Sequence, residues 1–505
     1  ESGTSWVWED AYDFGFSATS SHFWVEKTQT QDEVAFDGTG LILRNLSEGY
    51  EELIGSVWQL AMNKTGTHLA YTVDADGGDG NGLYLINLSN GARRGLDNSK
   101  ERYANLVWSD DGTSIAVLRG EIPEGSTERE NALLVFSDVG NSLVQRYEFG
   151  PTVAGLREDW VLSENGDLSF NGDASTVFVA TKTQEAELED WGEEGLPLAD
   201  VNIWHWEDDR IQSQQQSQLS QDQSRTYVAA IHLQEAILVH LADEQMSDVQ
   251  ITRDGRWGIG RDDHSYVSDW RPNYADYYRI NTRTGDRTPI LTEHLRTLGL
   301  SPDSRHFLYW KDGNVWDYSI ENNAHANLTA SSPVDFTDQE FDRFGEKPPH
   351  GVVGFTSDSN GIVLYDRYDV WYQSYDAGPA VNLTGNFGTE REIRLRTVAT
   401  DTEEETINLD EPMLLEAYGE WSKNEGFLRL DGRDLKDLTW EARRFSYPLK
   451  AKNADRYLFT VQTWQDFPDL WVSNGNFSER QRLSTANPQQ TQFLWGSRIL
   501  FDYTL

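Results

Sequence analysis

Cysteine is absent from the 505 residues. Disulfides, thiolate metal sites and a cysteine nucleophile are therefore excluded, while the compartment stays open, because many exported bacterial proteins also lack cysteine. No apolar run approaches the ~18 residues that a membrane-spanning helix needs. Helical periodicity is nearly missing. Basic charge is scarce: 42 Lys and Arg stand against 84 Asp and Glu, a net charge of −42. Such a surface repels phosphate backbones and anionic lipid, which sets nucleic acid and membrane surfaces aside as partners. The chain opens on Glu1 with no charged n-region or apolar h-region, as a processed chain or a fragment does once any export signal has gone.

What is present is a folded composition. Hydrophobic residues make up 38%, with 19 Trp, 21 Tyr and 21 Phe, so the acids coat a packed body rather than solvate a coil. That coat suits a salt-adapted or extracytoplasmic protein.

One phrase recurs along the chain: an aromatic or apolar residue, a small polar anchor, an Asp/Gly/Ser cluster, then an apolar run. It stands at "FSATSSHFWV" (anchor Ser17), "MNKTGTHLAY" (Asn63), "WSDDGTSIAV" (Ser109), "FNGDASTVFV" (Asn171), "ITRDGRWGIG" (Thr252), "LSPDSRHFLY" (Ser301) and "FTSDSNGIVL" (Thr356). Successive anchors lie 46, 46, 62, 81, 49 and 55 residues apart, against the ~40–50 of a four-stranded propeller blade. Each phrase reads as strand, tight turn and antiparallel return strand. Third strands follow, as in "GLYLINLSNG" from Gly82 and "NVWDYSIENN" from Asn314. Two worn repeats from Pro412 and Ala454 bring the count to about nine, more than the four to eight blades of common propellers. The expected fold is all-β, a β-propeller of four-stranded antiparallel blades spanning 1–490, with an insertion at about 183–226 that fills the longest gap.

Within that insertion, "RIQSQQQSQLSQDQSR" from Arg210 is the best helix candidate in the chain, but with only Ile211 and Leu219 as apolar residues it reads as a solvated loop or a strand extension. The acidic run 185–200 reads as a surface excursion. Trp204-His205-Trp206 reads as an aromatic strand with both indoles on one face.

Three stretches carry a resemblance to a family: "VNIWHWEDDRIQ" from Val201, "LSPDSRHFLYWKDGNVWDY" from Leu300 with the following "NLTA", and "FPDLWVSNGNFSERQRLSTANPQQ" from Phe467. They are similar to the β-propeller part of bacterial serine peptidases of the prolyl oligopeptidase family. The resemblance implies a propeller that caps an α/β-hydrolase domain with a Ser-Asp-His triad and admits only peptides or unfolded segments. It also implies a bacterial periplasmic or extracellular protein, with peptide substrate and hydrolase domain as partners. The chain ends some fifteen residues after Gln490, so 491–505 reads as a linker to a hydrolase domain missing here, and the start looks truncated too. The nucleophile elbow G-x-S-x-G exposes its serine on a strained turn between two glycines. The near misses at Gly3, Gly15, Gly112 and Gly140 lack the second glycine, so no catalytic residue is assigned. A stand-alone propeller binding a protein or glycan, and a propeller glycosidase, are the competing readings; with 84 acids a catalytic carboxylate pair cannot be picked out.

The resemblance places the segment around Phe467, Asp469, Trp471 and Trp495 just before the hydrolase, and aromatics beside Pro and Asp form the amphipathic type of patch found in interface cores. These four are the expected docking residues. The rival reading packs Leu470 and Trp471 between the last two blades, and exposure of Trp495 discriminates. "DADGGDGNG" from Asp74 has Gly78 fifth and Leu85 twelfth, where an EF-hand needs an acid or Asn and a Glu, so it reads as a hairpin loop. His22, His68 and His306 fall inside the repeat phrase and are expected to pack or face solvent beside its turn. Sequons such as Asn45, Asn87 and Asn382 sit where a turn wants Asn followed by a hydroxyl. No cofactor or metal is expected.

The charge excess yields a testable outcome. Salt at 0.10–0.15 M screens exposed charges beyond ~8–10 Å, so the thermal midpoint should rise from very low salt toward 0.5 M. A flat or falling midpoint would mean that the acids are paired locally with the bases.

Overall fold

The computed structural model describes residues 6–29, 36–187, 203–268, 270–401, 404–497, 499, 501, 503 and 504. Its local logic begins at the seven anchors. In each, the anchor's side-chain oxygen accepts the backbone N–H of the fifth residue on: Ser17 from His22 at 3.0 Å, Asn63 from His68 at 2.9 Å, Ser109 from Ser114 at 2.9 Å. Asn171 takes Thr176 at 2.9 Å, Thr252 takes Trp257 at 3.1 Å, Ser301 takes His306 at 2.9 Å and Thr356 takes Gly361 at 3.1 Å. The backbone closes the same loop, as Ser109 N–H donates to the Ser114 carbonyl at 2.9 Å and Gly112 N–H to the Ser109 carbonyl at 2.9 Å. Gly112 sits at φ 69°, a left-handed turn position that glycine fills without strain. Hydroxyl and amide anchors are interchangeable because only an acceptor at that point is required.

Each hairpin so closed joins an outer strand of an antiparallel blade to the strand beside it. Seven sheets hold one blade each, and the first sheet, of seven strands, holds two. Strand Glu51–Met62 does double service there: its first half pairs with Thr39–Asn45 and its second half with His68–Val73, the register shifting between Val57 and Gln59. Among the described residues nine blades result, the number expected from the repeat. The fold is thus an all-β propeller architecture of four-stranded antiparallel blades. One short strand pairing, Val352–Thr356 with Thr406–Ile407, is parallel, and an isolated parallel bridge joins Ala154 to Ile237.

The described residues form two compact units, Glu1–Leu295 with five blades and Arg296–Leu505 with four. In both, the core consists of layers between successive sheets. In the first unit, Leu118, Leu133 and Val135 pack with Val177, Val179 and Ile231 of the next blade. In the second, a phenylalanine layer joins the last two sheets: the Phe427 ring lies 5.7 Å from Phe445, 6.5 Å from Phe459 and 5.0 Å from Phe477. All four rings are buried.

The insertion departs from expectation twice. The polar run is a helix, α1 (Gln212–Gln223), rather than a loop or strand extension. It buries no residue; its stability comes from good helix formers such as Gln and from polar clamps. The Arg210 guanidinium donates to Asp222 at 2.6 Å and to Gln218 at 2.7 Å. Trp204 and Trp206 are not on a strand, and no described strand pairs with them; residues 203–205 are irregular and lead into a turn at 206–207, with both indoles exposed. The acidic run at 188–200 lies outside the described residues.

Truncating Phe427, central to the last layer, removes contacts with three rings at once. Phe427→Ala should destabilise the Arg296–Leu505 unit by about 3–5 kcal/mol, read as a loss of denaturant midpoint. A loss under ~1 kcal/mol would show that the phenylalanine layer is not a close-packed core.

Candidate docking edge at the last sheet

The last sheet contains strands Arg444–Lys450, Tyr457–Gln462, Asp469–Ser473 and Gln481–Arg482. Side chains alternate between its faces, and the register sorts them. Phe445, Val461 and Asp469 stand opposite one another, as do Phe459 and Trp471. This face meets the phenylalanine layer, with Trp471 packed partly buried against it. On the other face Leu449 pairs with Leu458 and Leu458 with Val472, while Leu470 pairs with Thr460. Leu483 joins that row, its N–H donating to the Leu470 carbonyl at 2.8 Å. Leu449, Leu470 and Leu483 are exposed. The last sheet therefore has one face packed and one face open, the open one carrying an apolar patch.

The four expected docking residues divide. Phe467 is exposed just ahead of its strand. Trp471 belongs to the packed face. Asp469 is only 3% exposed, and its carboxylate ties down the chain that follows. It accepts the Ser484 hydroxyl at 2.8 Å, the Ala486 N–H at 2.8 Å and the Arg482 guanidinium. Burial pushes its pKa up, but the Ala486 N–H, the Ser484 hydroxyl and Arg482 outweigh this and hold it below the usual carboxylate value. Beyond this clasp, Gln490 is buried in a short 3₁₀ turn, Pro488–Gln492. The Gln490 carbonyl accepts the indole N–H of Trp495 at 3.0 Å. Trp495 is 46% exposed, with Phe493 and Leu494 still more so. The rival reading that packs Leu470 with Trp471 divides too, since Trp471 packs and Leu470 is exposed, as alternation from the buried Asp469 requires; Leu483 escaped the sequence reading.

Other sequence candidates settle into structural roles. The His22 and His68 rings hydrogen-bond the neighbouring Ser21 and Thr67 hydroxyls, both at 3.0 Å, and burial holds both pKa values down. His306 bonds Asp317 at 2.8 Å and stacks on Tyr375 at 3.7 Å between ring centres. His205 is exposed, its ring 5.7 Å from that of Trp206. In the loop after Asp74, the Asp74 carboxylate accepts the Asp37 N–H at 2.8 Å, and the Asn81 amide oxygen accepts the Ala75 N–H at 2.8 Å. This is hairpin closure. Among the described residues no three metal-ligating side chains converge, and no helix is long and apolar enough to cross a membrane. The Asn45, Asn87 and Asn382 amide oxygens each accept the N–H two residues on, at 2.9–3.0 Å, a turn role that explains their sequon form.

No family model matches the chain, and no curated protein matches it. Solved structures with similar coordinates include dipeptidyl peptidase 4 of Porphyromonas gingivalis, at 8% identity and a TM-score of 0.37 over 96% of this chain and 54% of that one. The β-propeller domain of the Trilobed protease from Pyrococcus furiosus follows, at 8% identity and a TM-score of 0.25 over 92% and 95%. The acylaminoacyl peptidase of Pyrococcus horikoshii stands at 9% and 0.26 over 93% and 51%. The chain spans about half the length of the first and third of these. They are peptidases or peptidase propellers, the type to which the sequence resemblance points. At such TM-scores the likeness carries no argument about activity.

The clasp makes the C-terminal segment depend on one carboxylate. Asp469→Asn should loosen residues 483–495, lowering stability by about 1–3 kcal/mol and speeding proteolysis there before the blades are cut. Because the folded pKa is depressed, the clasp is fully present above the ordinary carboxylate value and is lost as pH falls through the folded one. Unchanged cleavage in the variant would remove the clasp role.

Proposed function

We propose that this chain is the non-catalytic propeller of a prolyl-oligopeptidase-like serine peptidase, working outside the cytoplasm of a bacterium. In this reading it gates access to an α/β-hydrolase domain seated on the open face of the last sheet. The observation that carries the proposal is that face itself. Leu449, Leu470 and Leu483 lie exposed on it, and the segment ending in Phe493, Leu494 and Trp495 follows directly. An apolar face left open at one end of a blade series is a surface for another folded body, and the stretch forming it is the one that resembles the family just ahead of its hydrolase.

The division of labour follows from chemistry. Peptide hydrolysis by such an enzyme requires a serine activated by a base and an oxyanion hole. The described anchor serines cannot serve: Ser17, Ser109 and Ser301 are buried acceptors of turn N–H groups. The chain's own residues would instead exclude bulky substrates by the rigidity of closed hairpins, while the acid coat disfavours highly acidic peptides.

Purified chain should not turn over a chromogenic peptide. The native protein, recovered from its source through a tag on this chain, should bring with it a hydrolase, fused or separate, that a serine-directed phosphonate labels. Leu470→Asp with Leu483→Asp should reduce that label at least tenfold if the hydrolase is a separate chain, or raise domain-boundary proteolysis if it is fused. Recovery of this chain with no labelled hydrolase, or peptide turnover by the chain alone, would refute the proposal.

A further inference from the structure

The first strand of the chain, Ala11–Phe16, is the edge of its sheet. It pairs with His22–Lys27, and no described strand pairs with its other side. Five of its six residues are exposed, whereas the strand that opens the next sheet, Arg102–Trp108, exposes none. Edges are commonly blunted by Lys or Pro, and "AYDFGF" contains neither. A register shift between Ala11 and Asp13 leaves Asp13–Phe16 regular. The Ser17 N–H donates to the His22 carbonyl at 3.0 Å. By the alternation of an antiparallel ladder, Gly15 and Trp24 then form the next bonded pair, and the backbone groups of Phe14 and Phe16 point away from the sheet. Asp13 takes the Phe14 N–H at 2.8 Å, which leaves the Phe14 carbonyl and both groups of Phe16 open.

The two faces of this edge differ. Phe14 and Phe16 share a face with Phe23, whose ring centre lies 5.9 and 4.8 Å from theirs and 5.2 Å from that of Trp8. Cross-strand pairing carries that face through Val25 and Ile42 to the exposed Leu53. Phe14 is 64% and Phe16 59% exposed, an open aromatic surface of the kind that marks an interaction site. On the other face Asp13 stands directly across from Glu26, a like-charge pair that weakens the strands it joins. The cations of the neighbouring strands are committed elsewhere: Lys27 to the Glu9 carbonyl, Arg44 to Glu51 beneath the Trp6 ring. Burial, and then the Asp13 charge, holds the Glu26 carboxyl above its usual pKa.

We infer that Ala11–Phe16 receives an extended segment of another protein in which apolar and basic residues alternate. The segment joins the sheet through the backbone of Phe14 and Phe16, lays its apolar side chains over the phenylalanines and sets a Lys or Arg against Asp13. Three physical points select that partner. Open backbone groups along an edge are met by an added strand. Side chains of a strand alternate between its faces, so one that covers Phe14 and Phe16 places its remaining residues beside Asp13, where a cation removes the repulsion. A second copy of this chain brings the same carboxylates and its own net charge of −42. The edge lies within the Glu1–Leu295 unit and owes nothing to the last sheet or to a peptidase partner.

The test uses the full chain and isothermal titration calorimetry with four capped octapeptides. One alternates Lys and Val, one alternates Glu and Val, one holds the same Lys and Val in two blocks, and one is the alternating Lys–Val peptide with every backbone nitrogen methylated. The first should bind, and the other three at least tenfold more weakly. Phe14→Ala should weaken the first about tenfold, and so should Asp13→Asn with Glu26→Gln, which also flattens its salt dependence. That double variant removes a repulsion, so its fold persists and its result is readable. Phe16→Pro deletes an outward N–H that the sheet does not use and should cost more than Phe16→Ala. Absence of binding, binding indifferent to these variants (attraction to the acid coat alone), or equal binding of the block, methylated or Glu–Val peptide would overturn the assignment. So would a concentration-dependent dimer of the chain that Phe16→Pro dissolves, because a second copy would then be the occupant.

Discussion

A single hydrogen bond, from the backbone N–H at position five to the side-chain oxygen of a buried anchor, is the constraint on which the architecture rests. Ser17, Asn63, Ser109, Thr252, Ser301 and Thr356 are all nearly inaccessible, and a polar group so placed costs several kcal/mol unless bonded. The bond removes that cost only when the turn has the right length, so each anchor fixes the register of the two strands it joins. Register then decides which side chains enter the layers between sheets, since a one-residue slip would turn each apolar set to solvent. Turn closure and core packing are in this sense one specification. The anchors also reach beyond their own blades: the Asn63 amide donates to the Gly112 carbonyl of the next blade's turn at 3.3 Å.

The acid excess takes on another meaning in this light. Part of it is turn chemistry rather than surface coating. Asp111 accepts the Ser109 hydroxyl at 2.6 Å and Asp358 the Thr356 hydroxyl at 2.6 Å. These hydroxyls are the main reason that both carboxyls lie below their ordinary pKa. Charge, hydroxyl and glycine therefore belong to one local device. Because the second acid is held ionised by its own loop, a negative surface accumulates with the repeat.

Most of that device could be read from residue order. The anchor, its acid and the following apolar run are local, and locality is what a sequence displays. The shared strand Glu51–Met62 was harder to see, since nothing in "EELIGSVWQLAM" marks the place where one blade ends and the next begins. Helix α1 was misread because apolar periodicity is the main helix signal, and this helix has almost none; its clamp joins Arg210 to Asp222, twelve residues apart. Asp469 was located by resemblance, but its role depends on Ser484 and Ala486, chain neighbours only after the strand has folded back. Trp495 was the clearest case, because lying beyond the last strand it had no repeat partner to bury it.

The physical kind of the docking edge bears on what it can recognise. At the last sheet, polar groups are satisfied internally by the Asp469 clasp and by the Leu470–Ser484 bond at 2.9 Å, so what remains open is aliphatic area. Aliphatic area is worth roughly 25 cal/mol per Å² when covered and has little directional preference, so it suits a large body whose position is set by shape.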